Sequence, residues 1–180
     1  FDVLNNAAKD VPAGSDGVLF LPYLTGGTND VKEATGCFLN MTLDTDQATL
    51  WHAVLEAIGY DYMEITDLYR GAGVDMSRIT ITEGGSRSEI WNQMKSDMLG
   101  SEVITLKNAG GAVVTDCIVG AYALGHITDM KAALTESLEI KKLYYTNAEN
   151  HDFYAKQYAL QKKLVKQDMK EAFHTLKALH

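Results

Sequence analysis

Between residues 36 and 125 the chain alternates between two hydrophobic periods, the period of two of a strand and the 3.6 of a helix. Gly36 to Leu43 reads as a strand. A long helix follows, with Trp51, Leu55, Ile58, Tyr62, Ile65 and Tyr69 as one apolar core stripe. Ile79 to Thr82 is a strand, Glu89 to Leu99 a helix, Val103 to Leu106 a strand, and Ala112 to Leu124 a helix ended by Gly125. Strands and helices in this order predict an α/β fold, with helices packed on the faces of a sheet. Ligands of such sheets gather beyond the carboxyl ends of strands.

One such end carries the run from Ile79 to Ser88, a strand, a Gly84-Gly85 turn and a helix start. Ile79 and Ile81 alternate with Thr80 and Thr82, which suits a pleated strand. The glycines allow backbone torsions and close approaches that a side chain would block. Ser86 or Ser88 can cap the following helix. Such a turn either connects two elements and nothing more, or offers backbone N–H groups to a phosphate or nucleoside. A second polar loop, Thr25 to Thr28, has two glycines but neither the spacing nor the lysine of a phosphate-binding P-loop, and reads as a surface loop.

The remaining segments add framework. Val18 to Leu21 is a short strand stopped by Pro22, and Asp44 with Gln47 forms a capping box for the long helix. The small residues Ala112, Gly120, Ala121 and Ala123 would let their helix lie close to a sheet. Asp116, inside that apolar helix, can cap a neighbour, face solvent or approach a ligand. His52 and Glu56 are one helical turn apart, and two ligands do not make a metal site. Met130 to Ser137 is a short helix, and residues 144–151 form a link. Asp152 to Leu179 reads as one amphipathic helix, buried along Tyr154, Tyr158, Val165, Met169, Leu176 and Leu179.

The 180 residues have room for one domain with a substantial core. A net charge of −8 without charge runs argues against nucleic-acid or membrane-surface partners. The two cysteines, Cys37 and Cys117, sit in apolar segments and are expected as buried free thiols, which points to the cytoplasm. The chain opens on Phe1 without an initiator Met or a signal pattern, and is expected to be cut from a longer one.

Four stretches, in order, carry a resemblance. Gly17 to Leu24 matches a "G-hydrophobic-LPYL" run. Gly36 to Met41, with Ala53 to Glu56, is similar to a G-x-F-x-G strand followed by a helix ending in A-x-x-E. Thr82 to Gly100 is similar to "TGGGSKSPLWNQIKADVLG", and Asn147 to Tyr154 to "NPENHxxY". Together they resemble the C-terminal half of the FGGY carbohydrate kinases, in their xylulose-kinase-like branch. Departures are Asn40 and Glu83 at glycine positions, Thr49 at a position for an amide, acid or histidine, and the absence of "GERTP" after Leu24.

The resemblance implies an actin-like, ribonuclease-H-like ATPase fold, with residues 1–180 as the C-terminal kinase domain and the N-terminal sugar-binding domain as a missing partner. It implies ATP or ADP with Mg2+, and a small sugar, a ketopentose such as xylulose, as substrate. Gly84, Gly85, Ser86, Arg87 and Ser88 are then expected on the adenosine side of the nucleotide. The aspartate base and the metal site are expected upstream of Phe1, so this piece alone is expected to be inert, to lack early strands of its sheet, and to pair as a homodimer if at all. The alternatives are a non-catalytic interaction module that kept the fold, and an unrelated nucleotide-binding domain. The missing G-x-G-x-x-G and G-K-[ST] count against the last.

Overall fold

The predicted alternation is present, but it builds two small sheets instead of one. The computed structural model describes residues 1–27, 31–107 and 111–179. Helix α1 (Asp2–Ala8) leads through a 3-10 turn, Ser15–Gly17, into strand β1 (Leu19–Leu21), which pairs antiparallel with β2 (Cys37–Leu39). The 25-residue α2 (Gln47–Gly71) follows. The second sheet has the order β3-β4-β5. Its β3 (Arg78–Ile81) runs parallel to β4 (Glu102–Leu106), Arg78 opposite Glu102 and Ile81 opposite Thr105. The connection between them is α3 (Glu89–Leu99). Helices α4 (Gly111–Ala123) and α5 (Met130–Ser137) then lead to β5 (Ile140–Tyr144), antiparallel to β4. The chain ends in α6 (Ala148–Lys163), a π-helical stretch at Leu164–Asp168, and α7 (Lys170–Ala178).

The core lies where β1, α2, α3 and the C-terminal helices meet. Leu19 and Leu21, Leu55, Tyr60 and Met63, Met94, Met98 and Leu99, and Tyr154, Tyr158, Val165 and Phe173 share one apolar cluster. Tyr60 stacks on Tyr158 with ring centroids 6.2 Å apart. No helix among the described residues is long and apolar enough to cross a membrane.

Several expectations need correction. Only the first half of the expected stripe on α2 is covered: Leu55 is buried and Trp51 packs against the core, but Tyr62, Ile65 and Tyr69 are exposed, whereas His52, Glu56, Tyr60, Met63 and Thr66 are buried. Ala53 and Ala57 pack against Val18 and Phe20, and on another face a Cβ on Gly59 would run into the Met98 side chain. The cap of α2 is Asp46, whose carboxylate accepts from the Thr49 N–H at 2.8 Å, and not Asp44. Ile140–Tyr144 is a strand that the sequence does not announce, since three of its five residues are exposed. The C-terminal helix is broken: the wide π turn adds a residue to the repeat, so Phe173 turns inward while Leu176 and Leu179 face out. Among the described residues the main neighbour of helix α4 is α5, where a sheet was expected. Its Asp116 and Cys117 are exposed, and Cys37 is only half-buried, so the expected burial of the thiols does not hold.

The segments Thr82–Gly100 and Asn147–Tyr154 meet at one carboxylate. Asp97 accepts from the Asn147 N–H at 2.9 Å, from Asn150 Nδ2 at 2.8 Å and from Gln93 Nε2 at 2.7 Å. Asn147 also caps α6, its side chain accepting from the N–H groups of Glu149 and Asn150. These bonds tie α6 to α3 and fix the helix that carries the candidate turn.

Candidate functional site

The turn after β3 is a single 3-10 turn, Gly84–Ser86, closed by the Ser86 N–H on the Glu83 carbonyl (3.1 Å) and the Arg87 N–H on the Gly84 carbonyl (3.3 Å). The torsional demand falls one residue before the glycines. Glu83 has φ 61° and ψ −156°, a region essentially restricted to glycine, whereas neither Gly84 nor Gly85 has a positive φ. Asn40, the other residue at an expected glycine, has φ 60°, the left-handed region that asparagine tolerates best after glycine. Its Nδ2 donates to the Gly17 carbonyl at 3.0 Å.

Each predicted residue of the turn is in place, with unequal roles. A Cβ on Gly84 would meet nothing within 4 Å, so this side of the turn is open. A Cβ on Gly85 would stand 3.3 Å from Trp91 Cζ3, so its back is packed. Ser86 is buried, and its hydroxyl donates to the Glu83 carbonyl at 2.7 Å, closing the turn. Ser88 caps α3, accepting from the Trp91 N–H at 3.3 Å. Arg87 is exposed, and among the described residues no ion pair joins it to Glu83.

Two residues given no role from the sequence hold the turn from beneath. Asn92 Nδ2 donates to the Ser86 carbonyl at 2.7 Å, and Lys95 Nζ to the Gly85 carbonyl at 3.1 Å. They lie three residues apart and face the same way. The available signal was their interruption of an apolar helix face between Trp91, Met94 and Met98. The carbonyls of Gly85 and Ser86 are thus tied to α3, while the Gly84 side of the turn is open. That arrangement suits an acceptor group or a flat ring. Ala109 and Gly110, which the sequence places at the opening of the helix before Ala112, lie outside the described residues.

A second polar cluster sits between α1 and α2. Glu56 accepts from the Gly14 N–H at 2.7 Å and the Ser15 hydroxyl at 2.8 Å, and His52 Nδ1 lies 2.9 Å from the same Ser15 oxygen. Burial raises the Glu56 carboxyl to about 7, against the pull of its donors, and lowers the His52 imidazole to about 4. The Ser15 hydroxyl donates to Glu56 Oε2, and the direction of its contact with His52 Nδ1 depends on the imidazole tautomer. The cluster pins the Gly14–Gly17 turn to α2. Among the described residues, no three His, Cys, Asp or Glu side chains come together as a metal site.

The family model of the FGGY carbohydrate kinase C-terminal domain matches residues 2–124. A xylulose kinase of Staphylococcus epidermidis is 29% identical over 169 residues, covering 93% of this chain and 34% of the relative. A gluconokinase of Bacillus subtilis is 34% identical over 138 residues, covering 73% of this chain and 26% of the relative. The chain thus spans between a quarter and about a third of these relatives' length. The crystal structure of a ligand-bound xylulose kinase from Lactobacillus acidophilus superposes with a TM-score of 0.79 at 21% identity, over 97% of this chain and 36% of that one. The fold is accordingly that of the actin-like ATPase sugar kinases. With its model matched over more than half its length, the chain belongs to the FGGY family of carbohydrate kinases, as part of the C-terminal domain.

Proposed function

We propose that this chain is the nucleotide-side part of an ATP-dependent kinase that phosphorylates a sugar hydroxyl. The candidate substrate is a ketopentose such as xylulose; a sugar acid such as gluconate is the competing choice, because relatives of both names match. The observation that carries the reading is the Gly84-Gly85 turn. It stands at the carboxyl end of a strand in a parallel pair, is braced from below, and is open on the Gly84 side. Gly84 and Gly85 receive the adenosine side of the nucleotide, Ser86 and Ser88 keep the turn and the helix start in shape, and Arg87 stands at its rim.

Phosphoryl transfer depends on placing the γ-phosphoryl in line with the attacking hydroxyl and on neutralising its charge. In this reading the aspartate that accepts the hydroxyl proton and the residues that hold Mg2+ belong to a longer parent chain, in the domain that carries the sugar. The part played by the residues described here is to bind and orient the nucleotide. A second reading, a module that kept the fold without the chemistry, draws on Glu83, a carboxylate-bearing residue in a glycine conformation at the edge of the turn. A coupled assay of the parent protein with xylulose, ribulose, gluconate and glycerol separates the two. Sugar-stimulated ATP turnover is expected, and its absence with all four favours the module. For this chain, calorimetry with ADP is expected to show binding that Gly84→Trp abolishes. Binding untouched by that change would remove the nucleotide from the turn.

A further inference from the structure

Beneath the glycine turn lies a lysine with an unusual environment. Lys95 is 2% exposed, and among the described residues no carboxylate pairs with it. Its ammonium donates to the Gly85 carbonyl at 3.1 Å, lies 3.4 Å from Asn92 Oδ1, and sits 3.7 Å from the centroid of the Trp91 ring. Burial lowers its pKa to about 8. An ammonium taken out of water without an anionic partner is costly, and a neutral donor would satisfy the same carbonyl. The retained charge therefore calls for an account beyond the hydrogen bond.

The electrostatics of the turn supply one. The carbonyl ends of the Gly85 and Ser86 peptides point at α3, and the Lys95 charge offsets the negative end of the first of them. The opposite side of the turn, open at Gly84, then lies over a buried cation. Trp91, which backs Gly85, is held by the same cation and by Tyr62, whose ring lies 6.3 Å away at 26°. Its indole N–H is buried and has no acceptor among the described residues, so core packing, stacking and the cation locate the ring.

We propose that Lys95 is the positioning residue of this turn, fixing the Gly85 carbonyl and placing a buried positive charge beneath the bound nucleotide, which an anionic nucleotide complements and an uncharged nucleoside does not. The inference rests on the nucleotide reading above and deepens it. It requires charge as well as shape, so an anionic nucleotide and its uncharged nucleoside must respond differently.

The test is an NMR-monitored titration of this chain with ADP and, separately, with adenosine, following the amides of Gly84 and Gly85. It is run on the wild type, Lys95→Met and Lys95→Gln. Lys95→Met removes both charge and donor, and Lys95→Gln keeps a donor without charge. ADP affinity is expected to fall about tenfold in both variants, the loss of one charge-assisted interaction, while adenosine affinity changes less than about twofold. Thermal unfolding of each variant establishes that it is folded. If Lys95→Met does not fold, Lys95→Gln carries the comparison. An equal loss for both ligands reduces Lys95 to a structural role and overturns the proposal. Wild-type ADP affinity in Lys95→Gln overturns it as well. A wild type whose Gly84 and Gly85 amides respond to neither ligand overturns the nucleotide reading itself, and this inference with it.

Discussion

Two glycine turns in this molecule have the same ingredients and opposite surroundings. The turn at Gly14–Gly17 and the turn at Glu83–Ser86 each contain two glycines and at least one side-chain-bearing residue at positive φ: Ser15 and Asp16 in the first, Glu83 in the second. Each is tied to a neighbouring helix by buried polar side chains. At Gly14 the ties are to Glu56 and His52 on α2, and the glycine is walled in, since a Cβ there would lie 2.6 Å from Phe153 Cε1. At Gly84 the ties come from α3, and the space on the other side is empty. A glycine is thus required at Gly14 by the protein's own packing, and at Gly84 by nothing the chain itself supplies. The glycine count says little about a ligand; which side of the turn is covered says much more.

The sharpest way to break this contrast is to add one methyl group to each turn. Gly14→Ala combines the Phe153 clash with a φ of 93° and is expected to destabilise by about 3 kcal/mol in urea unfolding. A loss no larger than that at Gly84 would show that the first turn is not closed.

The second expected effect is on pH dependence. In the wild type His52 and Glu56 oppose one another. The folded state holds the Glu56 proton up to about 7, so this group's contribution falls as pH rises from about 4.5. The folded state refuses the His52 proton down to about 4, so the contribution of His52 grows with pH up to about 6.5. Glu56→Gln leaves the histidine alone, and unfolding free energy is expected to rise by about 2 kcal/mol between pH 4 and 6.5. His52→Gln is expected to reverse the slope, with stability falling from pH 4.5 to 7. Chemical denaturation across that range reads both signs, and parallel profiles for the two variants would refute the pairing.

Glu83→Gly is the third test. Relief of a glycine-only conformation is worth about 1–3 kcal/mol, offset by about 0.4–1 kcal/mol of added freedom in the unfolded chain. A net gain of about 1 kcal/mol in unfolding free energy is expected, and a loss would mean that the Glu83 side chain makes a stabilising contact. Gly84→Ala is the smallest: within about 0.5 kcal/mol of wild type in stability, because its backbone is ordinary and its surroundings open. A larger loss would place protein atoms where the open side of the turn is drawn.

Much of this was legible in the residues. The strand at Ile79, the turn at Gly84-Gly85, the cap at Ser88 and the stop at Gly100 are local features, set by backbone sterics and by hydrogen bonds between residues two or three apart. They stand where the sequence puts them. The roles inside the turn were less legible. Asn92 and Lys95 read as ordinary members of an amphipathic helix, because their partners are carbonyls that only the folded turn presents. The strain at Glu83 was hinted at by its place before two glycines, but its torsions depend on how β3 enters the turn.

The amino-acid sequence by itself determined the order of elements, the family resemblance and the position of the candidate turn, because periodicity, capping and glycine chemistry act over a few residues. Only the tertiary structure decided which face of α2 is buried. The stripe from Trp51 to Tyr69 is the more apolar, yet the covered face carries His52 and Glu56, since Gly14 and Ser15 arrive from far along the chain to satisfy them. It also decided that Asp97 gathers Asn147 and Asn150, and that α5 is the main neighbour of α4 among the described residues. A helix period specifies that a face can be buried. Which face is buried depends on partners distant in sequence, through burial and hydrogen-bond satisfaction summed over the whole molecule.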